Sequence, residues 1–185
     1  MVALGSGFEV DGVAATKVVQ LAWLYHWATA LHPSLAAQRC DSFSYFRNTT
    51  AGCAYYQFQY YAFTVSMSDP LVAEAAQLDY QGQQEISTHP GAFGLGAPLT
   101  RDTNSTDQKA NRKASCGTIS ANNHNSTLSC DEYPYATTHQ GAAFGPFVSG
   151  LINAAQNSKE GSYLSAFYLY NRVAEGDPFY VLVTP

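Results

Sequence analysis

Charge is what this chain has least of. Only 12% of its 185 residues are Asp, Glu, Lys or Arg, about half the usual share. Basic residues are the scarcer kind: 9 Lys and Arg stand against 14 Asp and Glu, for a formal net charge of −5. That balance excludes a protein that grips nucleic acid through a basic surface as a whole. A polyanion would have to be met by a local patch or by bound cations. No apolar run is long enough to span a bilayer, so no membrane segment is expected. No two cysteines have C-x-x-C spacing and no two histidines lie four apart, which removes the usual Cys/His zinc patterns. Repeats and linker-like stretches are also lacking, so residues 1–185 read as a single domain.

Apolar residues make up 46% of the chain and aromatics 14%, enough for a substantial core. Low charge with many Tyr, Asn, Ser and Thr suits a secreted protein. The four cysteines, Cys40, Cys53, Cys116 and Cys130, allow three pairings. Cys40–Cys53 and Cys116–Cys130 are favoured, because each closes a short local loop, and each bridge would add roughly 3 kcal/mol. Three Asn-x-Ser/Thr sequons, at Asn48, Asn104 and Asn125, point the same way. The opening residues, with Phe8-Glu9-Val10-Asp11, lack the outline of a secretory signal. Lys17 to Ala37 has part of that outline, but Gln20, Tyr25 and His26 dilute it, and it reads as a buried helix.

Helical spacing of apolar residues covers Val13–Leu31 and stops at His32-Pro33. Residues 33–53 read as a loop and Ala54–Ser68 as a strand rich in aromatics. Asp69-Pro70 is a helix start, with Asp69 as N-cap. Residues 80–110 are weakly hydrophobic and rich in Gly, Thr, Asn and Asp, so a long surface loop is expected. Arg112-Lys113 is one of the few basic spots. Ala142–Ile152 reads as extended, a helix follows around Leu164–Val173, and Phe179–Val183 closes the chain as a strand.

The stretch that carries chemistry is Cys130-Asp131-Glu132-Tyr133-Pro134-Tyr135-Ala136. It sets two carboxylates side by side in a chain poor in them. Together with Asn111-Arg112 through Cys116, and with the ending Asn171-Arg172-Val173…Gly176-Asp177-Pro178-Phe179-Tyr180-Val181, it resembles the NucA/NucB-type secreted deoxyribonucleases. The resemblance covers about residues 111–183 and leaves 1–110 as a support region without a match.

It implies an α+β fold: a compact antiparallel sheet with packed helices, containing a ββα-metal nuclease core. It implies a general base on a strand, an Asp where related ββα-metal nucleases use His, which maps to Asp131. It implies a divalent metal, Mg²⁺ or Mn²⁺, held at the start of the following helix by Asn157. The family often has Arg next to that Asn. Here it is Ser158, so a phosphate contact is absent or passes to Lys159. The resemblance also favours the Cys116–Cys130 bridge, which would tie down the base-bearing strand.

Asp131 and Glu132 are thus the candidate catalytic carboxylates, although neighbours on a strand point to opposite faces. Glu132 either acts directly or pairs with Arg112 or Arg172. His139, Lys159 and Arg172 are candidate substrate contacts. A carboxylate can take a proton from the attacking water, and a hard cation with oxygen ligands can relieve charge on the phosphate. The expected function is a secreted, metal-dependent endonuclease acting on DNA with little sequence specificity. The alternatives are an RNase or nuclease toxin on the same scaffold, or an inactive secreted binding protein.

Overall fold

In a computed structural model, residues 38–46, 51–55, 61–123 and 127–185 are described. The expected Val13–Leu31 helix and the sequons at Asn48 and Asn125 lie outside them. The chain divides into two units, Met1–Arg39 with Cys53–Gln59, and Cys40–Gly52 with Tyr60–Pro185. Of the first, only residues in the strands β1 (Gln38–Asp41) and β2 (Gly52–Tyr55) are described.

The fold is α+β. Strand β3 (Ala62–Ser66) alternates cleanly, with Phe63 and Val65 buried and Ala62 and Thr64 exposed. This is the period expected of a strand with one face on a core. A short β4 (Leu99–Thr100) and a closing β7 (Pro178–Thr184) complete a three-stranded sheet in the order β3-β7-β4. That sheet is mixed rather than wholly antiparallel: β3 runs parallel to β7, with Phe63 beside Val181, while β4 runs antiparallel to β7. A separate antiparallel pair joins β5 (Leu128–Tyr133) and β6 (Val148–Asn153), placing Asp131 opposite Gly150.

Three helices pack on these strands among the described residues: α1 (Ala73–Glu85), α2 (Ser105–Asn123) and α3 (Ala154–Tyr170). Helix α1 packs against β5, β6 and α3, and α2 lies against β5 and β6. The run β5-β6-α3 is a ββα unit. Its core is aromatic: the Phe167 ring lies 5.6 Å from both Phe63 and Phe179, and Tyr168 meets Phe179 edge-on at 5.4 Å. Such pairs add about 0.5–1.5 kcal/mol each beyond the area they bury. No described helix is long and apolar enough to cross a membrane.

Two local expectations change. Residues 80–110 are not one long loop: they hold the end of α1, β4 and the first turn of α2. The Asn and Ser that look loop-like at 104–105 are capping chemistry, with Asn104 Oδ1 accepting from the Thr106 amide at 2.9 Å. The polar stretch within α1 is polar because it is a packing joint. A Cβ on Gly82 would lie 2.6 Å from the Tyr133 ring, and buried Gln83 donates to the Val181 carbonyl at 2.9 Å. Asp69 caps a turn through the Leu71 amide, while helix α1 itself starts at Ala73.

Candidate active site

The site is built where β5 meets the helices. Helix α3 begins ten residues earlier than the apolar pattern around Leu164 suggests, at Ala154, capped by Asn153 through the amides of Ala155 and Gln156. Its first turns are polar because they face a cleft. Asn157 sits one turn inside the helix rather than at its cap. Its Nδ2 donates to the Cys130 carbonyl at 2.9 Å, and the residue lines the same cleft as Asp131. One turn further on, Glu160 points inward and is 3% exposed.

Asp131 is 8% exposed. Its Oδ1 accepts the Glu132 amide at 2.9 Å, while its Oδ2 is buried with no hydrogen-bond partner. Behind it, Asp79 of α1 is buried, with Oδ2 accepting from the Tyr135 hydroxyl. Asp79 and Glu160 meet carboxyl to carboxyl in a side-chain hydrogen bond, which needs a proton on one of them. Three acids from three elements are therefore neighbours, and Asp131 Oδ2 is the oxygen left without a partner.

Burial pushes all three carboxyls well above their ordinary values. For Asp131 the neighbouring Glu160 and Glu132 add to the effect, and for Glu160 it is Asp79. No described Lys or Arg forms a salt bridge with any of the three. Buried acids left this way are costly when ionised, and a bound cation relieves that cost. An all-oxygen donor set from Glu160 and Asn157, beside Asp131, fits a hard divalent ion.

Glu132 lies on the other face of β5. Burial raises its carboxyl too, while Arg112, the Ala136 amide and Ser115 oppose the rise. Of the two arginines considered for it, Arg112 is the neighbour. The disulfide Cys116–Cys130 joins α2 to β5 immediately before Asp131. Cys40 and Cys53 are disulfide-bonded as well.

These groups line a cleft of about 1060 Å³. Asp131, Glu132, Asn157 and Glu160 share it with Arg101, Arg112 and Lys113. Arg112 and Lys113 are exposed, giving an acidic chain a local basic rim. The remaining three candidates lie elsewhere. Lys159 is exposed and sits over the Tyr163 ring at 4.8 Å. His139 pairs with Glu175. Arg172 pairs with Asp41 and stacks over Phe46 at 4.8 Å.

Residues 91–182 match the family model described as Deoxyribonuclease NucA/NucB. The chain carries a NucA/NucB-family deoxyribonuclease domain. The domain spans β4 to β7 and so contains Asp131, Asn157 and Glu160, whereas Asp79 comes from outside it. No curated protein matches the chain. Sequence reasoning missed Glu160 and Asp79. Glu160 stands three residues after Asn157, a spacing that places both on one helix face and was the available signal. Asp79 gave none, being one of three acids in a helix, 52 positions away from Asp131.

Proposed function

We propose that this protein is a secreted, metal-dependent endonuclease that hydrolyses the phosphodiester bonds of DNA with little sequence specificity. The observation that carries the reading is the orphaned, buried carboxylate oxygen of Asp131 beside the hydrogen-bonded Asp79–Glu160 pair, at the cleft wall of a nuclease-family domain. Asn157 Oδ1 and Glu160 would hold the ion, Mg²⁺ or Mn²⁺. When bound, the ion withdraws charge from the scissile phosphate and steadies the leaving oxygen.

The chain supplies the rest. Asp131 Oδ2 takes a proton from the attacking water, and burial keeps that oxygen basic enough to do so. The hydrogen bond from the Glu132 amide fixes the orientation of the Asp131 carboxylate. Tyr135 and Asp79 brace Glu160 from behind. Glu132 holds Arg112 toward the cleft, and Arg112 with Lys113 meets phosphates flanking the cut. Contacts to phosphate position a strand without reading its sequence, which accounts for low specificity. Secretion is supported by the disulfide-bonded state of all four cysteines and by the exposed Asn104 sequon.

The test is a gel assay on plasmid DNA and total RNA, with Mg²⁺ or Mn²⁺ and with EDTA. Cleavage of DNA that EDTA abolishes is expected. Cleavage of RNA alone would transfer the reading to an RNase, and no cleavage with either ion would leave an inactive binding protein.

A further inference from the structure

We propose that Asp102, His139 and Glu175 form a second metal site, suited to a divalent transition ion of the zinc class and built from none of the residues around Asp131. The three come from different connections: the residue pair after β4, the loop after β5 and the turn before β7. Backbone hydrogen bonds fasten these connections together. The Asp102 amide donates to Thr137 at 2.9 Å, the His139 amide to Thr100 at 3.0 Å, and the Gly176 amide to Arg101 at 2.8 Å. The geometry therefore does not depend on the side chains alone.

One ligand atom from each residue lies within 4.8 Å of the others. The decisive atom is Asp102 Oδ2. Asp102 is 0% exposed, its Oδ1 accepts the Asn104 amide at 2.7 Å, and its Oδ2 has no hydrogen-bond partner. That buried oxygen faces His139 Nδ1 across 3.9 Å. The gap is too long for a hydrogen bond. It is close to the spacing of two ligands on one ion, since bonds of about 2.0–2.1 Å set tetrahedral ligands about 3.3 Å apart. An ion takes only one ring nitrogen: on His139 Nδ1, beside Asp102, it would leave Nε2 hydrogen-bonded to Glu175 Oε1 at 2.7 Å, while the other Glu175 oxygen is held by the amide and hydroxyl of Thr103 at 2.6 and 2.7 Å. A carboxylate on the second ring nitrogen is the usual support of a ligating histidine.

Without an ion, His139 and Glu175 still satisfy each other, but Asp102 Oδ2 stays buried without a hydrogen bond, 3.9 Å from the imidazole. An ion answers that deficit. An imidazole ligand beside a carboxylate selects zinc-class ions over Mg²⁺. His139 and Glu175 have side chains 44% and 45% exposed, which gives the ion a way in. Asp102 also lines the cleft, so an ion here would stiffen its wall.

The experiment is calorimetric titration of Zn²⁺ into the chelator-treated full chain carrying Asp131→Asn and Glu160→Gln, which silences the other carboxylate cluster. One equivalent of Zn²⁺ should bind. Adding His139→Gln or Glu175→Gln should weaken that binding at least about tenfold, since even supporting residues cost that much. Both positions are exposed, and far-UV circular dichroism checks that the variants fold. In the same protein, Co²⁺ should give a visible absorption band that His139→Gln removes. Zinc binding unchanged by His139→Gln, or no zinc binding in the doubly substituted chain, would overturn the proposal.

Discussion

The side-chain amide of Asn157 is hydrogen-bonded to the backbone carbonyl of Cys130 at 2.9 Å. That single bond fixes the start of α3 to the strand residue before Asp131. Asn157 lines the same cleft as Asp131, so the bond joins helix and strand into one site. Asn157→Ala removes both the oxygen donor and the tie. It should raise the Mg²⁺ concentration needed for half-maximal cleavage of plasmid DNA, whereas Asn157→Asp should restore part of the affinity. An unchanged metal requirement in Asn157→Ala would remove this residue from the site.

The buried acids make stability depend on pH in a predictable direction. Asp79, Asp131 and Glu160 all have folded values well above the ordinary 3.8 to 4.5. An acid raised by folding favours the folded state while it is protonated. Its contribution is full below about pH 4, and it is lost as pH rises through the folded value. Thermal melts in EDTA should therefore show higher stability at pH 5 than at pH 8. Glu160→Gln should flatten the slope, and Mg²⁺ should narrow the gap at pH 8. Stability that climbs from pH 5 to pH 8 in EDTA would contradict the geometry.

Tyr135→Phe deletes the hydroxyl that serves Asp79. Leaving a buried acceptor unpaired costs about 1–3 kcal/mol. Chemical denaturation should show a loss of that size. Cleavage should slow as well, because Asp79 braces Glu160. A variant as stable and active as wild type would show that the Tyr135–Asp79 hydrogen bond matters for neither.

Arg112 and Lys113 are the exposed cations of the cleft. Replacing both by Ala should weaken binding of duplex DNA about equally for all sequences. The slope of log affinity against log salt should fall by about 0.9 for each phosphate that is no longer neutralised. Filter binding in EDTA at several salt concentrations measures it, and an unaltered slope would place the substrate elsewhere.

Much of the architecture is legible in the sequence, for physical reasons. The alternation of β3 and the aromatic run at Phe179–Val183 announce strands, because buried and exposed positions differ in residue type. The Asp131-Glu132 pair draws attention because acids are rare here. What escapes is the start of α2 and α3. Capping residues such as Asn104 and Asn153 resemble loop composition, and cleft-facing turns carry polar groups where a core helix would be apolar. Asp79 escapes because only tertiary packing of α1 on β5 brings it behind Glu160. Nearness in sequence to the motif does not place Lys159, His139 or Arg172 in the cleft. Arg172 shows why, since its guanidinium is committed to Asp41 and to the Phe46 ring.

The most direct test of the central claim is the initial rate of plasmid cleavage in Mg²⁺ by wild type and by Asp131→Asn. A metal-dependent rate that EDTA abolishes is expected, with a drop of about 10²–10⁴-fold in the variant. The variant should fold normally and melt at least as high as wild type without metal, since a buried acid has been neutralised. Cleavage by Asp131→Asn at the wild-type rate would contradict the assignment of Asp131 as the base.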